Sequence, residues 1–446
     1  MSLLKELYQI LEESKAIYNS AKAGRFKVVE RSQGATDSNF LVKGDNLALM
    51  KMLAEDGYAG KIKLIYIDPP FFSKSNYDAV IKIRSDLMAA APSMKLYAYH
   101  DIWHNGMADY LRMLCARIYL MRDLLADDGC FFVHLDWHVV HYVKIMLDEI
   151  FGSQHFINEI IWNYKSGGTS KRHFSRKHDT LLFYSKTNRY EFNPQTEKSY
   201  NRELKPYRFK GVKEYKDDLG WYTLVNMKDV WQIDMVGRTS SERTGYATQK
   251  PAVLLERIIE SCTREGDLCA DFFGGSGTLA AAANSLRRRW ICCDDGNLAF
   301  ACMGKRMIKA KADFVALIQE DAGSDAHCAA KVEVVLLPIE YSDKKLLQVK
   351  LLSYEVSVGH IPLDKSDRDI VRKIIHKDSL CLIDYWSIDF QFDGKTHRPE
   401  QILNIGKERE VICEKVGLSF NHISLHFVDV FGNSTYQSVN LVEGAL

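Results

Sequence analysis

A chain of 446 residues exceeds one typical domain, and 46% hydrophobic with 26% charged residues is the balance of an ordinary globular protein. The net charge of +1 excludes a uniformly basic nucleic-acid binder, so any basic surface has to be local. Ten cysteines without CxxC spacing argue against a disulfide framework or a zinc site, and no apolar stretch approaches membrane-spanning length; a soluble, cytoplasmic protein with no membrane partner is expected.

Residues 1–38 begin with an amphipathic helix (Leu3, Leu4, Leu7, Ile10, Leu11) that lacks a signal-peptide core. From 41 to 161 short apolar runs alternate with helical periodicity, as α/β units do. Gly44-Asp45-Asn46 opens a helix through Leu53, with Asp45 or Asn46 able to cap it. Leu64-Ile65-Tyr66-Ile67 reads as a buried parallel strand, and Asp68-Pro69-Pro70-Phe71 sits at its carboxyl end, where open α/β sheets bind ligands. The two prolines stiffen that turn, remove two backbone donors and leave carbonyls as acceptors. A carboxylate, fixed carbonyls and an aromatic face suit a flat nitrogen heterocycle that carries an amino group. Taken alone, the tetrapeptide fits an acidic turn equally well.

The polar segment 72–104 is too long for an ordinary connection and is expected to be a functional loop. A helix over Gly106–Ala126 follows, ended by Asp127-Asp128-Gly129, then a strand over Cys130–Leu135 and a helix over Trp137–Ile150. His134 falls in that strand, and His138 and His141 on the helix after it, so all three read as structural histidines and no metal is expected. From Lys165 to Lys228 the composition shifts to 15 Lys/Arg against 7 Asp/Glu, interleaved with 11 aromatics. Helix and strand then alternate again: Pro251–Cys262, Leu268–Phe273, Thr278–Ser285, Trp290–Cys293 and Ala301–Lys311. Asp321 to Asp325 reads as a linker, and 330–446 as a small all-β accessory domain with hairpin turns at Asp393-Gly394 and Gly432-Asn433.

Asp271-Phe272-Phe273-Gly274-Gly275-Ser276-Gly277-Thr278 ends one strand and opens an alanine-rich helix. Its glycines let the backbone turn sharply and approach a ligand, and the helix start supplies free N–H groups. Neither a dinucleotide fingerprint nor a phosphate-binding lysine is present. A carboxylate at the strand tip favours a zwitterionic amino-acid nucleoside such as S-adenosylmethionine, with Asp294-Asp295 after the next strand placed to reach a ribose.

The Asp-Pro-Pro-Phe element ahead of the Asp-x-Phe-x-Gly-Ser-Gly element, with a basic stretch between them, resembles the β-group of amino-DNA methyltransferases. Further marks are Gly44-Asp45-Asn46-Leu47, Asp128–Asp136, Asp148–Gly152, His178–Lys186 and Thr248-Gln249-Lys250-Pro251. The likeness covers about 40 to 310. It implies a Rossmann-like S-adenosylmethionine-dependent core with permuted motif order and an inserted target-recognition region; the small C-terminal β domain lies outside it and is read from the strand pattern alone. The corresponding divisions are 1–38 (helical segment), 39–164 (catalytic half), 165–245 (recognition), 246–320 (donor-binding half) and 330–446 (accessory). Two departures stand out: Cys292 and Cys293 where the family often has a glycine, and Phe71 where tyrosine is commoner.

The resemblance further implies roles. Asp68 and the Pro69 carbonyl would hold the target amino group, with Pro70 shaping the turn and Phe71 stacking on a flipped base. Asp271 would take the donor's ammonium, Phe273, Gly274, Gly275 and Gly277 its close approach, and Asp294 its ribose, with Asp295 a near rival. Asp45 is assigned to the donor's adenine or to a helix cap, and Thr248 and Lys250 to its carboxylate. Lys171, Arg172, Arg176 and Lys177 are the phosphate candidates on double-stranded DNA. The expected activity is site-specific methylation of adenine N6. The alternatives are cytosine N4, a non-catalytic DNA-binding subunit, or methylation of a protein glutamine or an RNA base. The reading leaves room for a restriction endonuclease subunit and a homodimer.

Overall fold

A computed structural model describes residues 3–32, 34–83, 93–103, 106–165, 170–237, 239–320, 328–342, 344–404, 408–416 and 422–441; the linker expected at 321–325 lies outside them. The core is a ten-stranded mixed sheet. Its order is Phe26–Arg31, Val315–Gln319, Phe40–Lys43, Arg289–Asp294, Leu268–Asp271, Ile62–Ile67, Leu125–Leu135, His178–Ser185, Phe156–Asn163 and Val230–Gln232. The six strands from Val315–Gln319 to Leu125–Leu135 run parallel. His178–Ser185 then enters antiparallel to its neighbours.

Alternation along these strands feeds two apolar layers. Ile65, Ile67, Phe131 and Val133 pack under the helices Asn46–Leu53, Met107–Leu124 and Val140–Phe151. Leu64, Tyr66, Cys130 and Phe132 pack under Ala252–Cys262, Thr278–Ser285 and Asn297–Lys309. A parallel sheet covered on both faces explains why its strands read as unbroken apolar runs. The first helix, Leu3–Ser20, lies along Met107–Leu124, where Ser14 Oγ reaches the Arg112 carbonyl at 3.4 Å.

Three expectations change. The segment 72–104 contains a hairpin, Asn76–Lys82 with Ser93–His100, instead of an irregular loop. The region expected to be a separate recognition insert, 165–245, supplies two strands of the main sheet as well as a small sheet of its own, Thr196–Tyr200, Glu214–Lys216 and Trp221–Asn226. The accessory domain is not all-β, because Lys365–Asp378 is a helix. Only Val371 and Ile374 of that helix are buried, so its polar composition hid the periodicity.

The C-terminal unit carries a three-stranded and a four-stranded sheet around Tyr354, Trp386, Phe390 and Phe427. Ile81, Ile83, Met94 and Leu96 of the 76–100 hairpin belong to the same apolar cluster. A buried polar seam joins the unit to the Phe26–Arg31 strand. His397 exchanges main-chain hydrogen bonds with Val29 and Arg31 (3.1 and 2.9 Å), Tyr436 donates to Glu30 at 3.1 Å, and His426 Nδ1 lies 2.8 Å from Glu30 Oε2. Both His397 ring nitrogens meet serine hydroxyls, Ser387 at 2.8 Å and Ser424 at 3.0 Å.

Burial pushes the His397 imidazole down to about 3, even though the Glu30 charge pulls the other way. The folded protein therefore resists protonation there while the unfolded chain, with an ordinary histidine near 6.5, accepts a proton. Stability held above that value is lost as the pH falls toward 3. Urea denaturation should show about 2 kcal/mol of this loss between pH 7 and pH 5, and His397→Gln should remove that share of the pH dependence.

Candidate active site

The two motifs that lie far apart in sequence end adjacent strands. Leu268–Asp271 pairs in parallel with Ile62–Ile67, Ala270 opposite Ile65, so Asp271 and Asp68 both emerge at the carboxyl edge of neighbouring strands. A cavity of about 550 Å³ opens there, with Asp68, Pro70, Asp271, Phe273, Gly274, Gly275, Thr248, Lys250, Asp294, Asp295, Asp45 and Arg117 among its walls.

One end has the shape of a donor pocket. Gly275 and Gly277 adopt positive φ (49° and 71°), which favours glycine. At Gly274 a Cβ would lie 2.6 Å from Cys292 Sγ and 2.8 Å from Met303 Sδ, so the backbone is pressed onto the next strand. The cysteines that depart from the family pattern are thus packing residues: Cys292 fills the space under Gly274, and Cys293 Sγ reaches the Gly44 carbonyl at 3.4 Å. Asp294 accepts from Gly275 N–H at 2.8 Å and Gly296 N–H at 2.9 Å, and burial raises its carboxyl to about 6. It pins the glycine loop, and Asp295 beside it is the more exposed carboxylate. Asp45 accepts from Ala48 N–H at 2.8 Å as a helix cap and from Arg117 at 2.8 Å, while still facing the cavity. Thr248 is exposed at the rim, with φ of 53°.

At the other end, Asp68 forms an ion pair with Lys250 through Oδ2, and its Oδ1 is buried with no hydrogen-bond partner. Pro69 is buried and Pro70 lines the cavity. Phe71 does not line the wall. Its ring stacks at 5.9 Å on His134 and carries the Lys250 ammonium 5.2 Å from its centroid.

Five residues to which the sequence assigns no role in the site, Asp101, Tyr66, His134, Tyr164 and Asp179, hold this end in place. Asp101, fully buried, accepts from Phe72 N–H (3.0 Å), Ser73 N–H (2.6 Å), Ser73 Oγ (2.8 Å) and Trp103 Nε1 (3.1 Å), which fixes the turn after Phe71. Tyr66 Oη lies 2.9 Å from His134 Nδ1, His134 Nε2 lies 3.1 Å from Asp179, and Tyr164 donates to Asp179 at 3.0 Å. That chain of satisfied polar groups backs Phe71 from below. His134 and Asp179 could have been found, because both fall in quoted family marks; Asp101 carries no local signal.

Leu135 pairs with Thr180, so the described residues 170–177 enter their strand at the same carboxyl edge. Lys171, Arg172 and Arg176 are exposed there, and Lys177 is half-buried. Arg176 lies 3.7 Å from the Trp137 ring centroid, and Phe174 is 98% exposed. The small sheet, 196–226, follows Ser185, which pairs with Cys130 at the end of that ladder remote from Leu135, away from Asp68. The structure therefore brings only the first part of the basic stretch to the site.

These residues fit S-adenosylmethionine. Burial pushes the Asp271 carboxyl well above the usual carboxylate range, and the charges of Asp68 and Asp294 push it the same way; Phe273 N–H (2.9 Å) and Lys250 oppose them. An ammonium placed beside Asp271 restores its charge, so such a ligand expels a proton on binding and binds more tightly as the pH rises. Calorimetry of S-adenosylhomocysteine in buffers of different ionisation enthalpy should register that release. Asp271→Asn should abolish it and weaken binding by about tenfold or more.

Comparison with known proteins agrees with this geometry. Residues 62–300 match the profile of the DNA methylase family of N6/N4 methyltransferases. The chain is 27% identical over 335 residues to the type II methyltransferase M.EcaI of Enterobacter cloacae, covering 62% of this chain and 70% of that protein. It is 25% identical over 166 residues to the Mod subunit of the type III restriction-modification enzyme EcoP15I of Escherichia coli, covering 35% of this chain and 26% of that subunit. The solved structure of the PvuII DNA methyltransferase, which is cytosine-N4-specific, aligns at 17% identity with a TM-score of 0.41, covering 63% of this chain and 90% of that one. With paired strand-tip carboxylates, a glycine-walled pocket and a profile that spans more than half its length, the chain belongs to the DNA methylase family.

Proposed function

We propose that this protein is a site-specific methyltransferase of a restriction-modification system that methylates N6 of adenine in double-stranded DNA. One observation carries the reading. Asp68 Oδ1 is a buried acceptor without a donor, on a residue that lines a cavity whose other end fits an amino-acid nucleoside. A buried carboxylate oxygen left unpaired is costly unless a ligand N–H completes it. The choice of adenine rests on Asp68 itself, since the cytosine enzymes of the family that the sequence resembles more often carry serine at that place.

S-adenosylmethionine, when bound, supplies an electrophilic sulfonium methyl; the protein's work is to hold the nucleophile against it. An exocyclic amine on adenine is a poor nucleophile because its lone pair is delocalised into the ring. Hydrogen bonds from its two N–H groups to Asp68 and the Pro69 carbonyl favour a tetrahedral nitrogen and free the lone pair. Positive charge that develops on the nitrogen is offset by the same fixed acceptors, and in-line placement supplies much of the remaining rate. Phe71 offers a stacking face to a base that has left the duplex. Lys171, Arg172 and Arg176 stand on the correct edge to grip the phosphates around it.

Radiolabelled methyl transfer to DNA from a methylation-free host, followed by nucleoside analysis, tests this reading. N6-methyladenine is expected; N4-methylcytosine would overturn the adenine assignment, and no incorporation would overturn the enzyme reading. Asp68→Ala should cut transfer by more than about 10²-fold while leaving S-adenosylhomocysteine binding intact. Full activity in that variant would remove Asp68 from the mechanism.

A further inference from the structure

The ammonium of Lys250, expected to serve the donor's carboxylate, is bonded to Asp68 and sits over Phe71 at 5.2 Å. Those are the two groups that the proposed chemistry needs for the target base, one as acceptor and one as stacking face. An ammonium and an exocyclic amine both present N–H donors, so the lysine imitates the substrate at both contacts. Lys250 is 8% exposed, and the second Asp68 oxygen is shut off from solvent. No base reaches this carboxylate until the lysine moves.

The surroundings say what moves it. Five carboxylates, those of Asp45, Asp68, Asp271, Asp294 and Asp295, line the cavity, against two cations, Arg117 and Lys250. Arg117 is committed to Asp45 at 2.8 Å and to Asn46. The carboxylate of a zwitterionic ligand therefore has one mobile cation to recruit among the described walls. The lysine backbone is anchored, its carbonyl accepting from Thr278 Oγ1 at 3.2 Å and its chain continuing into Pro251, while the four-carbon stem has the rotatable bonds to redirect the ammonium. The charge of Lys250 is already felt at Asp271 and Asp179, so it moves within one cluster of acids without being stranded.

We propose that Lys250 is a placeholder: its ammonium fills the seat of the target amino group in the unliganded enzyme, and the donor's carboxylate draws it off. Donor binding then opens the base site, which couples the two ligands and keeps a base from settling until an amino-acid nucleoside occupies the donor end. This rests on the methyltransferase reading above, and it assigns Lys250 a positioning role that acts through Asp68.

The test uses the full chain and a duplex that carries the recognition sequence identified by mapping methylated DNA. A fluorescent analogue (2-aminopurine, or pyrrolocytosine if the nucleoside analysis finds cytosine) replaces the target base and brightens when extruded. With wild type, S-adenosylhomocysteine should strengthen extrusion by about tenfold or more, whereas methylthioadenosine, which lacks the amino-acid carboxylate, should not. Lys250→Met should extrude the base equally well with either ligand or none. Equal effects of the two ligands on wild type, or an unchanged ligand dependence in Lys250→Met, would overturn the proposal. The wild-type comparison needs no variant, so it decides the matter even if Lys250→Met folds poorly. Absence of methyl transfer by wild type is a separate result, and it counts against the function instead of the placeholder.

Discussion

The parallel pairing of Leu268–Asp271 with Ile62–Ile67 is the constraint on which the rest depends. Two segments some two hundred residues apart in the chain become neighbours in the sheet, roughly 4.8 Å apart in the pairing direction. Their terminal carboxylates then share one cavity, one assigned to the donor's ammonium and one to the acceptor nitrogen. The permuted order of the motifs does not matter to the chemistry, because the sheet, and not the sequence, sets their adjacency. Apolar layers on both faces hold the strands in this register, and a strand here contributes no exposed face that could slip.

Putting several acids in one pocket has an electrostatic cost. Each buried carboxylate raises the proton affinity of the next, and Asp271 and Asp294 both show it. The protein relieves this with backbone N–H groups at Asp294, with Arg117 at Asp45 and with Lys250 at Asp68. Asp271 has one hydrogen bond, from Phe273 N–H at 2.9 Å, and the charge of Lys250 to offset its burial, which suits a site for a cationic ligand. The pocket is thus tuned for a zwitterion.

Much of this was legible in the sequence where the signal is local. Asp45 caps its helix as expected, Asp68 and Asp271 stand at strand ends, and the glycine loop turns where glycines allow it. What escaped detection depends on partners distant in the chain. Asp101 is an unremarked acid in a polar segment until the fold places it under Phe72 and Ser73. Lys250 meets Asp68 only because the loop ahead of Pro251 crosses the carboxyl edge. Asp127-Asp128-Gly129 looked like a helix stop, yet the strand already begins at Leu125, its register becoming regular at Cys130 opposite Leu64. The 76–100 hairpin was hidden for a similar reason: its apolar residues pack on a unit encoded far downstream.

That last dependence has a consequence for the order of assembly. Chains emerge from the ribosome amino end first, and domains generally fold as they appear. Ile81, Ile83, Met94 and Leu96 are made early, but Leu347, Trp386 and Phe427, which share their apolar cluster, are made late. Until the later segment is synthesised, the hairpin that continues from Asp68-Pro69-Pro70-Phe71 has no core to rest on. A nascent chain thus carries both motif carboxylates well before the turn between Phe71 and Asp101 has its full support. The C-terminal unit acts as a timing element, delaying maturation of the Asp68 end of the cavity until its own residues have been made.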